Sequence, residues 1–281
     1  MLRVAVPNKG ALSEPARTML REAGYLRSSG NNELVVHDPS NDTEFFFLRP
    51  RDIAVYVGAG QLDVGITGRD MLLDSGAAAE EVLPLGFGAS TFRLAAPAGI
   101  AATLSDLHGK RIATSYPGVL ARELAKAGIK CEIVKLDGAV ENAVALGVAD
   151  AVADVVDTGS TMRKAGLVVV GDVLLESEGL IVKPADAQRS EAVDTFVRRM
   201  EGVIAARSNV MVDYDIKLDL IDSASAIAPG LESPTVSPLR DEQWAAVRVM
   251  VARVDVHRVM DELYALGARG IIVTDIHACR L

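Results

Sequence analysis

From its first residues to Val156 the chain alternates short apolar runs with stretches of helical periodicity, and no other feature limits its fold as much. "LRVAV" reads as a buried strand that runs into the turn "PNKG", then a helix from about Ser13 to Ala23 stopped at Gly24. "EFFFLRP" is a strand ended by Pro50, "RDIAVYVGAG" a helix, and "LDVGITG" a strand leading into a glycine turn. "TFRLAAP" is another strand; "KRIATSYPG" leaves a strand for a turn and a helix over Val119 to Ala127. The strand "KCEIVKL", a helix around Ala139 to Leu146 and the strand "ADAVADVV" repeat the pattern. Alternation of this kind predicts parallel sheets with helices on their faces and ligands beyond the carboxyl ends of the strands. Four strand-end turns, "PNKG", "GITG", "TSYPG" and "DTGST", carry small or hydroxyl residues, as a pocket visited by phosphates requires.

After Lys183 the composition shifts. "PADAQRSEAVDTFVRRMEGVIAARS" is one amphipathic helix, with Val193, Phe196, Val197, Met200, Val203 and Ile204 on a single stripe. A compact tail follows: strand "VMVDYD", helix "LDLIDSASAI", loop "APGLESPTVSPL" with a short strand near Thr235 to Ser237, strand "WAAVRVMV", helix "VHRVMDELYALG", strand "ARGIIVTDI". That order, βαββαβ, is the ferredoxin-like arrangement.

With 281 residues there is room for two or three cores, and 49% hydrophobic with 24% charged residues is a globular composition. The net charge of −9 argues against nucleic-acid and anionic-membrane partners, which would be repelled. "MLRVAVPNKG" lacks the apolar core of a signal peptide, and no membrane-spanning run follows. Cys131 and Cys279 form no CxxC and are expected as free or buried thiols in a reducing cytoplasm; His37, His108, His257 and His277 have no metal-ligand spacing.

The chemistry concentrates in "ADAVADVVDTGSTM", Ala149 to Met162. A turn whose free amides open a helix suits a phosphate dianion, with Gly159 allowing close approach and the hydroxyls of Thr158, Ser160 and Thr161 at the rim. Asp154 is poorly placed for phosphate but well placed to accept from two vicinal hydroxyls, so a phosphorylated pentose fits. The alternative is a helix capped by Thr158 beside a structural Asp154.

Glu141, Gly147, Ala149, Val152, Asp154, Val155, Thr158, Gly159, Thr161 and Met162, at these spacings, resemble the signature of the ATP phosphoribosyltransferases at every specified position. The likeness extends to "VPNKGALSEPA", "FFFLRPRDIAVYVGAGQLDVGITGRD", "GFGASTFRLAAP", "KRIATSYP" and "APGLESPTVSPL", and the tail resembles that of the long, self-regulated form. The resemblance implies an α/β fold: a bilobed catalytic body like the periplasmic binding proteins, with two mixed or parallel sheets, and a C-terminal α+β regulatory domain. Its expected divisions are residues 1–89 with 180–208, residues 90–179, and residues 209–281. Phosphoribosyltransferases of the commoner type place two adjacent acids on the ribose; here Ala153 precedes Asp154, so that pair is missing.

The implied reaction joins adenine N1 of ATP to C1 of phosphoribosyl pyrophosphate (PRPP), expelling pyrophosphate, in the first step of histidine biosynthesis. Adenine N1 is unprotonated at neutral pH, so alignment and charge compensation matter more than a general base. Mg²⁺ is expected on the substrate phosphates, with no protein side chain as metal ligand. The PRPP site is assigned to Asp154, Thr158, Gly159, Ser160 and Thr161. Contacts to ATP and pyrophosphate are assigned to Lys9, Gly10, Arg49 and Asp70. Arg69 and Arg93 are further cations; a surface salt bridge is the alternative for each of Lys9, Arg49, Arg69 and Arg93, and Asp70 can equally cap the helix "DMLLDSG".

For the tail, the resemblance implies feedback inhibition by histidine, held between neighbouring modules by Asp215, Leu231, Ser233, Thr235 and the Gly270 position; the alternative is a module that serves assembly alone. Dimers in equilibrium with hexamers are implied, and AMP is a candidate second inhibitor. Two rival functions stay open on the residues: a bilobed binding protein without catalysis, and a phosphoribosyltransferase with another acceptor.

Overall fold

The computed structural model describes residues 1–26, 33–156 and 159–280. They form two compact units, one of residues 1–21 and 25–197 and one of residues 22–24 and 198–281.

The larger unit holds two mixed sheets. β1 (Leu2–Pro7), α1 (Ser13–Glu22), β2 (Val35–Asp38), β3 (Thr43–Leu48), α2 (Pro50–Gly58), β4 (Val64–Gly68), α3 (Arg69–Ser75) and β5 (Ala79–Pro84) come first. The chain then crosses to β6 (Ser90–Pro97), β7 (Arg111–Thr114), α4 (Pro117–Ala127), β8 (Glu132–Lys135), β9 (Ala151–Val156), α5 (Ser160–Lys164) and β10 (Leu167–Ser177). It returns as β11 (Gly179–Pro184), and α6 (Glu191–Ser208) follows. The sheet orders are β2-β3-β1-β4-β11-β5 and β10-β6-β9-β7-β8, so the bilobed body expected from the sequence is the one observed.

Parallel pairing runs through the centre of each sheet, β3 with β1 with β4 and β8 with β7 with β9. β1 is buried at every position but Arg3 and β4 at every position, as strands covered on both faces must be. Gly65 shows how closely α2 sits on β4: a Cβ there would lie 2.6 Å from a methyl of Ile53. In the second sheet Phe92, Leu94, Ile112, Val119 and Leu120 are all 1% exposed or less and form one core.

Three sequence expectations are corrected. The span expected as a helix from Ala139 to Leu146 holds only a 3-10 turn, Val140–Asn142, followed by further turns. Ala139 there is left-handed, with φ of 47°, so no α-helix can start before it. Second, "GITG" is not a turn: β4 runs to Gly68, which is the N-cap of α3, and the chain passes directly from strand to helix. Third, β2, β5, β10 and β11 occupy stretches to which no element is assigned from sequence. β5 is largely solvent-facing and β10 breaks register between Val170 and Leu175, so neither presents an unbroken apolar pattern.

The smaller unit is the βαββαβ module: β12 (Asn209–Lys217), α7 (Ile221–Ile227), β13 (Thr235–Pro238), β14 (Trp244–Ala252), α8 (Val256–Leu266) and β15 (Arg269–Asp275). Its antiparallel sheet has the order β13-β14-β12-β15, as a ferredoxin-like fold requires. Val210, Val212, Tyr214 and Ile216 alternate inward to meet Val247, Val249, Val259 and Leu263 in one core. Asp213, Asp215 and Arg248 lie on the other face.

Candidate active site

The carboxyl ends of β1, β3, β4, β7 and β9 converge, with both crossing segments, on a cavity of about 350 Å³. Lys9, Gly10, Pro50, Gly68, Asp70 and Met71 line it from the first sheet, Tyr116 and Val155 from the second, and Gly88, Ser90 and Ser177 from the crossings. This is where a two-sheet α/β body binds ligands, because strand-end loops and helix N-termini offer unpaired polar groups there.

Asp154, one residue before Val155, is half-buried near the end of β9. Its Oδ1 accepts from the Ser115 hydroxyl at 3.2 Å and from the Val155 amide at 2.8 Å. Burial holds its carboxyl above the usual range; those two bonds pull it back, Glu141 pushes it further up and Arg51 pulls it down. Glu141 thus lies within electrostatic reach, a second acid supplied from outside the strand. Gly159 has φ of +67° and is the N-cap of α5, with Thr161 exposed in the first turn. Thr158 lies outside the described residues, and of Ser160 only the backbone is described.

Asp70 is 4% exposed. The Ser177 hydroxyl donates to its Oδ1 at 2.8 Å and accepts from its amide at 3.0 Å. The N-cap of α3 is Gly68, with no side-chain capping bond, so Asp70 does not act as the cap. A Cβ on Gly68 would collide with the Asp70 carboxylate, so only glycine lets that carboxylate fold back. Burial pushes the Tyr116 phenol far up, and the charge of the Asp70 carboxylate adds to the shift. The hydroxyl therefore remains a donor throughout the physiological range.

Lys9 is exposed at the mouth of the cavity, beside Gly10 with φ of +77°. Arg49 is exposed at the N-cap of α2, next to Pro50 of the cavity wall. Arg69 faces the other way: its guanidinium pairs with Glu81 at 2.6 Å and Glu178 at 3.3 Å, so the salt-bridge alternative holds for it. Arg93 lies opposite Asp154 in the β6–β9 register but donates to Thr91 at 3.2 Å. Tyr116 and Ser177 line the cavity, while Ser115 bonds Asp154 and Arg51 stacks on Tyr116; the sequence reading assigns a role to none of the four. "TSYPG" marks Ser115 and Tyr116 as a strand-end turn, while nothing local flags Arg51 or Ser177.

In the small unit, Asp215 is half-buried on β12, and a Cβ on Gly270 of β15 would lie 3.7 Å from its Oδ2. Leu231 is 64% exposed, Ser233 is exposed, and Thr235 starts the edge strand β13 opposite Arg248. β14 separates β13 from β12. The fold therefore brings Asp215 and Gly270 together and leaves Thr235 on the edge strand β13, with Leu231 and Ser233 in the loop before it.

Two family models match the chain: ATP phosphoribosyltransferase over residues 49–202 and the C-terminal domain of HisG over residues 206–278. The chain belongs to the ATP phosphoribosyltransferase family. An ATP phosphoribosyltransferase of Pseudarthrobacter chlorophenolicus is 59% identical, with 100% of each chain covered, and one of Streptomyces coelicolor is 54% identical, also over 100% of each. Among solved structures, the ATP phosphoribosyl transferase (HisG:HisZ) complex from Thermotoga maritima is similar, with TM-score 0.64 and 29% identity. The match covers 98% of that chain and 73% of this one, so this chain is longer than the solved one. The family makes it a phosphoribosyl-transferring enzyme, which displaces the reading as a binding protein without catalysis.

Proposed function

We propose that the cavity brings adenine N1 of ATP onto C1 of PRPP, displacing pyrophosphate to give N1-(5-phosphoribosyl)-ATP and committing material to histidine synthesis in the cytoplasm. The observation that carries this reading is the Asp154 carboxylate, anchored by Ser115 and Val155 beside a cavity walled by strand ends of both sheets. Asp154 accepts from the ribose diol, with Glu141 as a second acid near it. Thr158, Gly159, Ser160 and Thr161 receive the 5′-phosphate. Asp70, fixed by Ser177, reads the nucleotide side, while Lys9, Gly10 and Arg49 face the phosphates. These groups hold nucleophile and electrophile in line, and the cations offset charge on the leaving group.

Among the described residues no three His, Cys, Asp or Glu side chains cluster to hold a metal. We infer that Mg²⁺ arrives on the substrate phosphates, where it would neutralise the departing pyrophosphate. Chelation with excess EDTA is expected to abolish turnover while leaving the circular-dichroism melting curve in place. A fall in melting temperature with EDTA would instead point to a structural metal. The primary test mixes ATP, PRPP, Mg²⁺ and protein and follows the ultraviolet change of the adenine adduct. No signal with ATP, but product with another base, would favour a different acceptor.

For the small unit we infer a histidine site shared between neighbouring modules of a dimer or hexamer, with AMP as a candidate second effector. Asp215 and Gly270 lie on paired strands, whereas Thr235 is on the edge strand β13 with Leu231 and Ser233 in the loop before it, so a second copy would complete each pocket. Thr235→Ala should weaken histidine inhibition about tenfold, roughly one hydrogen bond, with the uninhibited rate unchanged. Unaltered inhibition would remove Thr235 from the pocket. Among the described residues no helix is long and apolar enough to cross a membrane.

A further inference from the structure

Helix α4 begins without a cap of its own. Tyr116 at its N-cap makes no side-chain capping bond, and Pro117 leaves Gly118 and Val119 as the first free amides. Both are taken by Asp74 of α3, whose Oδ1 accepts from Gly118 at 2.7 Å and from Val119 at 3.2 Å. A helix attached to one sheet is therefore capped by a carboxylate from a helix attached to the other. The backbones also meet there, since a Cβ on Gly118 would run into the Asp74 carbonyl oxygen.

The other oxygen of the same carboxylate holds Arg51 at 3.3 Å, and Asp74 is only 13% exposed. Arg51, on α2, lays its guanidinium over the Tyr116 ring at 4.2 Å from the centroid. Phe92 packs edge-on against that ring, with centroids 5.9 Å apart. The Tyr116 amide donates to the Thr114 hydroxyl at 2.9 Å, and Asp74 adds a hold on the first turn of α4 and, through Arg51, on the ring. Tyr116 and Asp70 both line the cavity, and the Asp70 charge acts on the Tyr116 phenol.

We propose that Asp74 is a positioning residue for phosphoribosyl transfer: it sets the two lobes at their α3–α4 junction and so aims Tyr116 at Asp70 on the nucleotide side of the cleft. The inference rests on the catalytic reading above. Asp74 touches no substrate and acts through Tyr116. Loss of its carboxylate frees two helix amides and Arg51 together, and Tyr116 no longer has a single position.

Steady-state rates of adduct formation, with each substrate varied in turn, test this in wild type, Asp74→Ala, Asp74→Asn, Tyr116→Ala and the Asp74→Ala/Tyr116→Ala pair. Asp74→Ala should lower kcat/KM for ATP by about tenfold to a hundredfold, the usual cost of misplacing a reacting group by around an ångström, and move KM for PRPP much less. Asp74→Asn should recover part of the loss, because its amide oxygen still accepts from Gly118 and Val119. On the Tyr116→Ala background the Asp74→Ala step should cost almost nothing. Should Asp74→Ala fail to fold, Arg51→Ala removes the ring clamp alone and should show the same ATP-selective loss. Unchanged ATP kinetics, or an undiminished loss on the Tyr116→Ala background, overturns the proposal. A silent wild type overturns the catalytic reading and this inference with it, whereas an active wild type beside an unimpaired Asp74→Ala overturns this inference alone.

Discussion

Asp154→Ala is expected to lower kcat/KM for PRPP by about two to four orders of magnitude. The diol loses two hydrogen bonds to a charged acceptor, at about 1.5–3 kcal/mol each, and each 1.4 kcal/mol is a factor of ten. Among the described residues the Asp154 side chain hydrogen-bonds to Ser115 and to its neighbour's amide, neither a bond of the strand ladder, so its removal should leave the pairing of β9 with β6 and β7 intact and the fold in place. The effect should therefore appear in kinetics and not in melting temperature. Because burial holds this carboxyl above the usual range, it takes up its proton at a higher pH than an ordinary aspartate. The acceptor is then lost as pH falls through that raised value, and Asp154→Asn should remove this part of the acid limb. Wild-type PRPP kinetics in Asp154→Ala would exclude the carboxylate from the sugar site.

The largest effect on stability is expected at Phe92. Its side chain is 0% exposed, at the centre of the second sheet's core, between Leu94, Ile112 and Tyr116. Truncation to alanine removes the transfer energy of a buried ring and leaves a cavity, at about 3–5 kcal/mol. Domains are held by about 5–15 kcal/mol in all, so the variant should sit near the edge of folding. Urea unfolding followed by far-ultraviolet circular dichroism should show the midpoint of the two-sheet unit fall sharply, and Phe92→Leu should fall much less. A midpoint shift worth under 1 kcal/mol would mean that the ring is not part of the supporting core. Since Phe92 also backs Tyr116, residual folded Phe92→Ala should bind ATP poorly.

How much of this was legible in sequence depends on whether the cause was local. Parallel strands such as "LRVAV" and "ADAVADVV" are buried on both faces and announce themselves as apolar runs. The tail module is legible for the complementary reason, because its central strands β12 and β14 alternate between core and open face. β5 and β11 are not, since they are strands by virtue of partners far away in the chain. The false helix at Ala139 to Leu146 has helix-forming composition but a left-handed residue at its start, which composition does not reveal.

The site divides in the same way. Asp154 lies near the end of a strand and Lys9 and Asp70 come just after one, and strand-end position is readable. Arg69 is also at a strand end, yet Glu81 and Glu178 claim it, and no local pattern foretells an ion pair to a residue so distant in sequence. Arg51, Ser177 and Asp74 matter only because the lobes meet, and such contacts appear once both sheets are folded.

The central claim is that the loop after β9 grips PRPP, and a crystal structure of the protein with PRPP and Mg²⁺ addresses it directly. The account predicts the ribose diol on the Asp154 carboxylate, the 5′-phosphate on the amides leading into α5, and C1 open towards Asp70. Density for the sugar at any other place, with Asp154 still bonded only to Ser115 and Val155, would contradict it.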